Sequence, residues 1–225
     1  RLAGPQGRVL AIEPEPQNLD LLKCNVKLNG LTNVEIHGCA AGTSQGTVML
    51  GLYKPVNRGR HSIVDMDMKS AVEVPVRKLD DLVSKTGDAP VTWSLLKIDV
   101  EGYEPFVLDG ARETLSRTET LVIEYSPQFL RKAGVDPASI FETLSENFST
   151  IYRIEPTELV RVTANECLQS TSQVTMATPS CFSILLTFPV AVKASPGRAG
   201  ALNLTLSLPP LNQLCPKETV ISCET

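Results

Sequence analysis

Leu95-Leu96-Lys97-Ile98-Asp99-Val100-Glu101-Gly102-Tyr103-Glu104 decides how the rest of this 225-residue sequence is read. Its first half is an apolar run too short for a helix, which predicts a strand buried on both faces. Its second half sets Asp99, Glu101 and Glu104 around Gly102, and the amphipathic segment from Glu104 to Ser116 predicts a helix directly after it. Open α/β sheets place their ligands just beyond the carboxyl ends of such strands. One carboxylate alone would read as local chemistry, Glu104 favouring a helix N-terminus and Asp99 capping a turn. Three acids, a glycine and the embedded Lys97 in one strand–turn–helix junction predict a site.

Upstream, Arg8 to Glu13 reads as a strand that ends on an acid, and Pro14-Glu15-Pro16 opens a helix. That helix, Gln17 to Leu28, carries Leu19, Leu22 and Val26 at helical spacing and is expected to bury them; Asn29-Gly30 stops it. Asn33 to Cys39 is the next strand. Thr47–Leu52 and Val72–Val76 read as short strands flanking a polar piece, Lys54 to Ser62, expected to be a surface loop. Loops over a rigid sheet carry substrate contacts, so His61 and Ser62 are candidates for the site. Leu79 to Val83 is a short helix. Downstream come strands at Thr120–Glu124, Ile151–Ile154, Leu159–Val162 and Cys181–Phe188, with a helix from Asp136-Pro137 to about Glu146. Strands alternating with helices predict an α/β fold with a doubly wound, mostly parallel sheet. Residues 1–188 read as one domain, and 189–225 as a proline-rich C-terminal extension. In that extension Leu202, Leu204, Leu206 and Leu208 alternate with polar residues, as in a half-buried strand.

Composition narrows the function. A net charge of −4 with no basic run argues against a nucleic-acid surface. The longest apolar run, Phe182 to Val192, is too short to span a bilayer, so no membrane partner is expected. The six cysteines form no CxxC pair and no Cys/His cluster, which predicts neither disulfides nor zinc. Cys24 and Cys39 are expected to be small buried thiols, in a reducing, cytoplasmic compartment.

Three blocks then line up: Glu13-Pro14-x-Pro16-x-Asn18-x-x-Leu21-Leu22-x-x-Asn25, the Leu79-Asp80-Asp81-Leu82 approach, and Leu95 through Glu104 continuing to Val107-Leu108-x-Gly110-Ala111. Together they resemble the FkbM family of S-adenosylmethionine-dependent methyltransferases, over about Arg8 to Val162 and on to Phe188. The resemblance implies a class I methyltransferase fold, Rossmann-like, whose last strand is antiparallel. It places Glu13, with Pro14 beside it, at the ribose hydroxyls of S-adenosylmethionine, where an ionised carboxylate accepts two hydrogen bonds from a cis diol. It puts Cys39, Ala40 and Ala41 against the adenine, and Asp99, Val100 and Glu101 near the reactive methyl. The glycine-rich loop after the fold's first strand has no counterpart. The chain is therefore expected to be N-terminally truncated, with a gap between the Val9–Glu13 and Leu95–Asp99 strands.

The activity implied is O-methylation of a hydroxyl on a small molecule, a sugar or a secondary metabolite. Asp99 or Glu101 would be the base, with His61 as an outside candidate. The same two acids could instead hold a divalent cation, but two acids do not make a metal site and no metal is assigned. Glu124, with Tyr125 and Ser126, is a candidate for the acceptor pocket. Two other readings stand beside it: an inactive fragment or binding domain that keeps the fold, and a nicotinamide-dependent enzyme, for which an acid like Glu13 would also serve.

Overall fold

A computed structural model describes residues 3–4, 6–52, 61–64, 70–83, 92–170, 182–187 and 219–224. The elements in chain order are β1 (Val9–Ile12), α1 (Pro16–Leu28), β2 (Val34–His37), β3 (Ala40–Ala41), β4 (Gly46–Gly51), β5 (Ala71–Arg77), α2 (Leu79–Val83) and β6 (Trp93–Asp99). There follow α3 (Glu104–Asp109), α4 (Arg112–Leu115), β7 (Thr120–Tyr125), α5 (Pro127–Lys132), α6 (Ser139–Ser145), β8 (Thr150–Ile154), β9 (Leu159–Val162), α7 (Ala164–Ser170), β10 (Phe182–Thr187) and β11 (Thr219–Glu224).

Eight strands form the main sheet in the order β2-β1-β11-β6-β7-β10-β8-β9. From β2 to β7 every neighbouring pair is parallel, while β10 runs antiparallel to both β7 and β8. This is the doubly wound, mostly parallel sheet expected, with its late strand reversed. The expected gap between β1 and β6 is filled. Strand β11 lies there, Ile221 opposite Leu10 on one side and Leu96 on the other, Cys223 opposite Ile12 and Ile98. A parallel strand in this position supplies backbone partners to both neighbours, whose buried N–H and C=O groups would otherwise be costly to leave unpaired. The Leu202–Leu208 alternation lies outside the described residues.

Register explains the core. Leu96 is in line with Leu121, and Leu121 with Leu186; Ile98 is in line with Ile123, and Ile123 with Ile184. All six side chains are fully buried, each contributing about 1.5–3 kcal/mol relative to exposure. Val107 and Leu108 of α3, Leu115 of α4 and Ile140 and Leu144 of α6 join the same core. On the other face Leu95, Lys97 and Val122 are only half-buried, so β6 is sealed on one face and not on both as its apolar run suggests.

Three further expectations are corrected by packing. Helix α1 buries no residue outright: Leu19, Leu22 and Val26 are half-buried and Cys24 is exposed. Leu19 lies against Gly38, just past edge strand β2, which is itself only half-buried. The single helix expected from Glu104 to Ser116 is two, α3 and α4, parted at Gly110, where a Cβ would fall 1.9 Å from the Gly42 carbonyl oxygen. Asp80 of the Leu79-Asp80-Asp81-Leu82 block then caps α4 from another element, Oδ1 accepting from the Thr114 N–H at 2.8 Å and hydroxyl at 2.7 Å, Oδ2 from the Glu113 N–H at 3.1 Å. Helix α6 starts later than Asp136, at Ser139.

A smaller sheet, β3-β5-β4, packs around Leu50, Val74 and Val76. Its β4 end bridges to Ser62 through paired Gly51 and Ser62 backbone groups. The small sheet thereby delivers His61 and Ser62 to the main one.

The position of β11 makes a direct prediction. Ile221→Pro removes a ladder donor in the middle of the sheet, and should lower unfolding free energy by about 1–3 kcal/mol. Urea unfolding followed by far-UV circular dichroism measures this; an unchanged midpoint would show that β11 does not hold the sheet.

Candidate functional site

The carboxyl edge of the main sheet gathers acids because four neighbouring strands end on them. Glu13 follows β1, Glu224 closes β11, Asp99 closes β6 and Glu124 is the penultimate residue of β7. Glu224 is in register with Asp99. With β11 between them, β1 and β6 are about 10 Å apart, two inter-strand spacings.

Glu13 is buried, and its Oε1 accepts the Glu15 N–H at 2.8 Å. Glu15 in turn caps α1 through Oε2 and the Asn18 N–H, 2.6 Å apart. The Glu13-Pro14-x-Pro16 block is thus a strand-to-helix corner in which one acid orients and the next caps; Pro14 is buried within it. Asp99 is 41% exposed and paired with Lys97 Nζ at 3.1 Å. Such a pair is worth about 0–1 kcal/mol, so its chief effect is to aim the Asp99 carboxylate.

The turn after Asp99 is strained and clamped. Glu101 has φ +49° and Gly102 φ +100°. A non-glycine residue in the left-handed region costs about 1–3 kcal/mol and persists where its surroundings over-determine it. Three contacts do so. The Ser62 hydroxyl donates to the Glu101 carbonyl oxygen at 3.0 Å. Glu104 Oε1 accepts from the N–H groups on either side of Glu101, Val100 at 3.3 Å and Gly102 at 3.2 Å. Phe129 packs so closely on Gly102 that a Cβ there would fall 2.5 Å from the Phe129 Cβ.

His61 and Ser62, expected on a surface loop, are buried at 4% and 1% exposure. Ser62 joins the acidic turn directly, while the rest of that expected loop, Lys54 to Arg60, lies outside the described residues. Cys39, Ala40 and Ala41 are buried as well, and burial pushes the Cys39 thiol up, which makes it a packing residue and not a nucleophile. Beside them Gly42 lies against the ring of Tyr103, itself stacked on Phe106. Tyr125 is fully buried and Ser126 nearly so.

The residue that sequence reasoning undervalued is Glu104. It is fully buried, and that burial pushes its carboxyl up to about 8, with Glu124 adding to the rise while the Gly102 and Val100 N–H groups oppose it. The signal was present in the sequence, as an acid three residues before the buried Val107 and two after a glycine, but a helix-start preference explained it too easily. Among the described residues no group of three or more His, Cys, Asp or Glu side chains is placed to hold a metal ion. Nor is any described helix long and apolar enough to cross a membrane.

Two outcomes follow from this geometry. Gly102→Ala forces a side chain into the left-handed region and onto Phe129, and should cost at least the 1–3 kcal/mol of such strain, read as a lower denaturation midpoint. Because the folded state holds the Glu104 proton to about pH 8 while the unfolded chain releases it near 4.5, this group's contribution is complete below 4.5 and is lost as pH rises to 8. The charged groups around it are Glu124 on β7 and, along its own segment, Glu101 and the Lys97–Asp99 pair. Melting temperatures from pH 5 to 8 should fall less steeply in Glu104→Gln than in the parent; parallel slopes would refute the buried neutral acid.

Comparison with known proteins agrees with this frame. The methyltransferase FkbM domain matches residues 1–154. "Methyltransferase 1" of Beauveria bassiana is 30% identical over 125 residues, covering 47% of this chain and 49% of the relative. The 2-O-methyltransferase NoeI of Sinorhizobium fredii is 23% identical, covering 62% of each. The hexuronic acid methyltransferase AglP of Haloferax volcanii is 26% identical, covering 64% of this chain and 56% of the relative. The chain thus spans about half to three fifths of the length of these relatives. The domain match takes in every strand from β1 to β8 together with the acidic turn, and the chain belongs to the FkbM methyltransferase family.

Proposed function

We propose that this chain is the methyl-transferring part of an S-adenosylmethionine-dependent enzyme that O-methylates a small-molecule hydroxyl, with sugars among the acceptors. The observation that carries the reading is the strained acidic turn, clamped by Ser62, Glu104 and Phe129 at the carboxyl edge, with Glu13 about two strands away. A donor set of carboxylates suits a ligand that is cationic at its sulfonium and amino groups and offers hydroxyls for hydrogen bonding. The family supports methyl transfer, and two relatives named for a 2-O position and for a hexuronic acid support a hydroxylated acceptor.

In this reading Glu13 holds the ribose hydroxyls, and its bond from the Glu15 N–H keeps the carboxylate oriented before binding. Cys39, Ala40 and Ala41 are small, buried residues that let the flat adenine approach. Bound S-adenosylmethionine supplies an activated methyl, so the residues act mainly by alignment. Asp99 or Glu101 takes the acceptor hydroxyl's proton. Asp99 is the better placed of the two for reaching an incoming acceptor, being two-fifths exposed beside Lys97. His61, buried next to Ser62 in the chain, is the outside candidate for the same role. Glu124, near the end of β7, lines the acceptor side.

Calorimetry with S-adenosylmethionine tests this on the full chain. Binding is expected, weakened about tenfold or more, roughly 1.4 kcal/mol, by Glu13→Ala. Asp99→Asn should preserve binding and abolish methyl transfer to a hydroxylated acceptor. Absence of any binding heat would overturn the proposal.

A further inference from the structure

Glu104 stands at the first position of α3, where its carboxyl meets its own N–H, but the side chain does more than serve the helix. It reaches back, and Oε1 accepts from Val100 and Gly102, the two residues that flank the left-handed Glu101. Of the buried acids Glu13, Glu15 and Glu104, it alone has no exposed surface. Its Oε2 is sealed from solvent with no hydrogen-bond partner among the described residues. A helix-terminus role would be met by an exposed acid at far lower desolvation cost. Complete burial and the backward reach need another explanation.

We propose that Glu104 is a positioning residue of the methyl-transfer site, which acts through the Val100 and Gly102 N–H groups to set the Glu101 backbone and hence the direction of the Asp99 and Glu101 carboxylates. This rests on the reading of that turn as the methyl-transfer site. With Glu101 left-handed, the Val100 and Gly102 N–H groups meet on the one Glu104 oxygen, so the clasp favours the strained conformer directly. Ser62 holds the same residue from its carbonyl side. The Glu101–Gly102 peptide is therefore gripped at both its C=O and its N–H, and the bond from the Val100 N–H fixes the chain just before it. A neutral acid suits the clasp, because it keeps a carbonyl acceptor for the N–H groups without a second carboxylate charge close to Glu124.

Backbone amide NMR of the full chain, with S-adenosylmethionine affinity measured on the same samples, tests the proposal. In the parent protein the Val100 and Gly102 amide signals should move together with a midpoint near pH 8. In Glu104→Gln, which keeps the acceptor oxygen and cannot ionise, they should stay at their low-pH positions throughout, with affinity unchanged. In Glu104→Ala both signals should shift and affinity should fall on the order of tenfold, beyond any change in melting temperature. If the alanine variant does not fold, the glutamine variant's flat amide profile decides the case. Amides that fail to titrate in the parent, or an alanine variant that loses stability but keeps its affinity, would overturn the clasp. Should the parent bind no S-adenosylmethionine, the proposed function fails while the amide titration still decides whether Glu104 governs the turn.

Discussion

The structure depends on the pairing of a parallel strand with both of its neighbours at the middle of a sheet. Strands β1 and β6 each have one flank toward the same slot, and β11 fills it in register with both. Backbone N–H and C=O groups in the interior of a sheet are costly to leave unpaired. The spacing across the candidate site follows from closing this slot. Only with β11 in place do the ends of β1, β11, β6 and β7 form one continuous acidic edge, and only then does a fixed spacing separate Glu13 from Asp99.

The second constraint is local. Glu101 is held in a conformation that an L-residue avoids, and the cost is met by one contact three residues on and two from distant parts of the chain. Ser62 belongs to the loop carried by the small sheet, Phe129 to α5, and Glu104 to the start of α3. Each belongs to a separate packing unit, so the turn reports on the integrity of the whole domain. Strain concentrated at one residue and compensated from several sides is the pattern expected where carboxylates must be presented in one direction.

Much of this was legible in the residues. The β-α-β start, the apolar run ending in an acidic turn and the reversed late strand follow from periodicity and from the family resemblance, because strand and helix periods survive in any context that buries one face. Packing around irregular backbone was less legible. The buried state of His61 and Ser62 depends on the Gly51–Ser62 bridge, which no local pattern announces. The break between α3 and α4 depends on the Gly42 backbone passing against Gly110. Cys24 is exposed, and α1 buries no residue outright, although its apolar spacing is that of an ordinary core-facing helix.

What the sequence by itself determined is the family, the order of strands and helices, and the acids that end the strands. These are properties of short windows, set by side-chain spacing and by residue types that tolerate turns. What only the tertiary structure decided is which strand occupies the centre and how the acidic turn is held. Both are choices among partners distant in the chain. A slot between two strands accepts any extended segment with the right register, and a left-handed residue needs clamps whose donors and acceptors come together only when the sheet, the small sheet and α5 are packed.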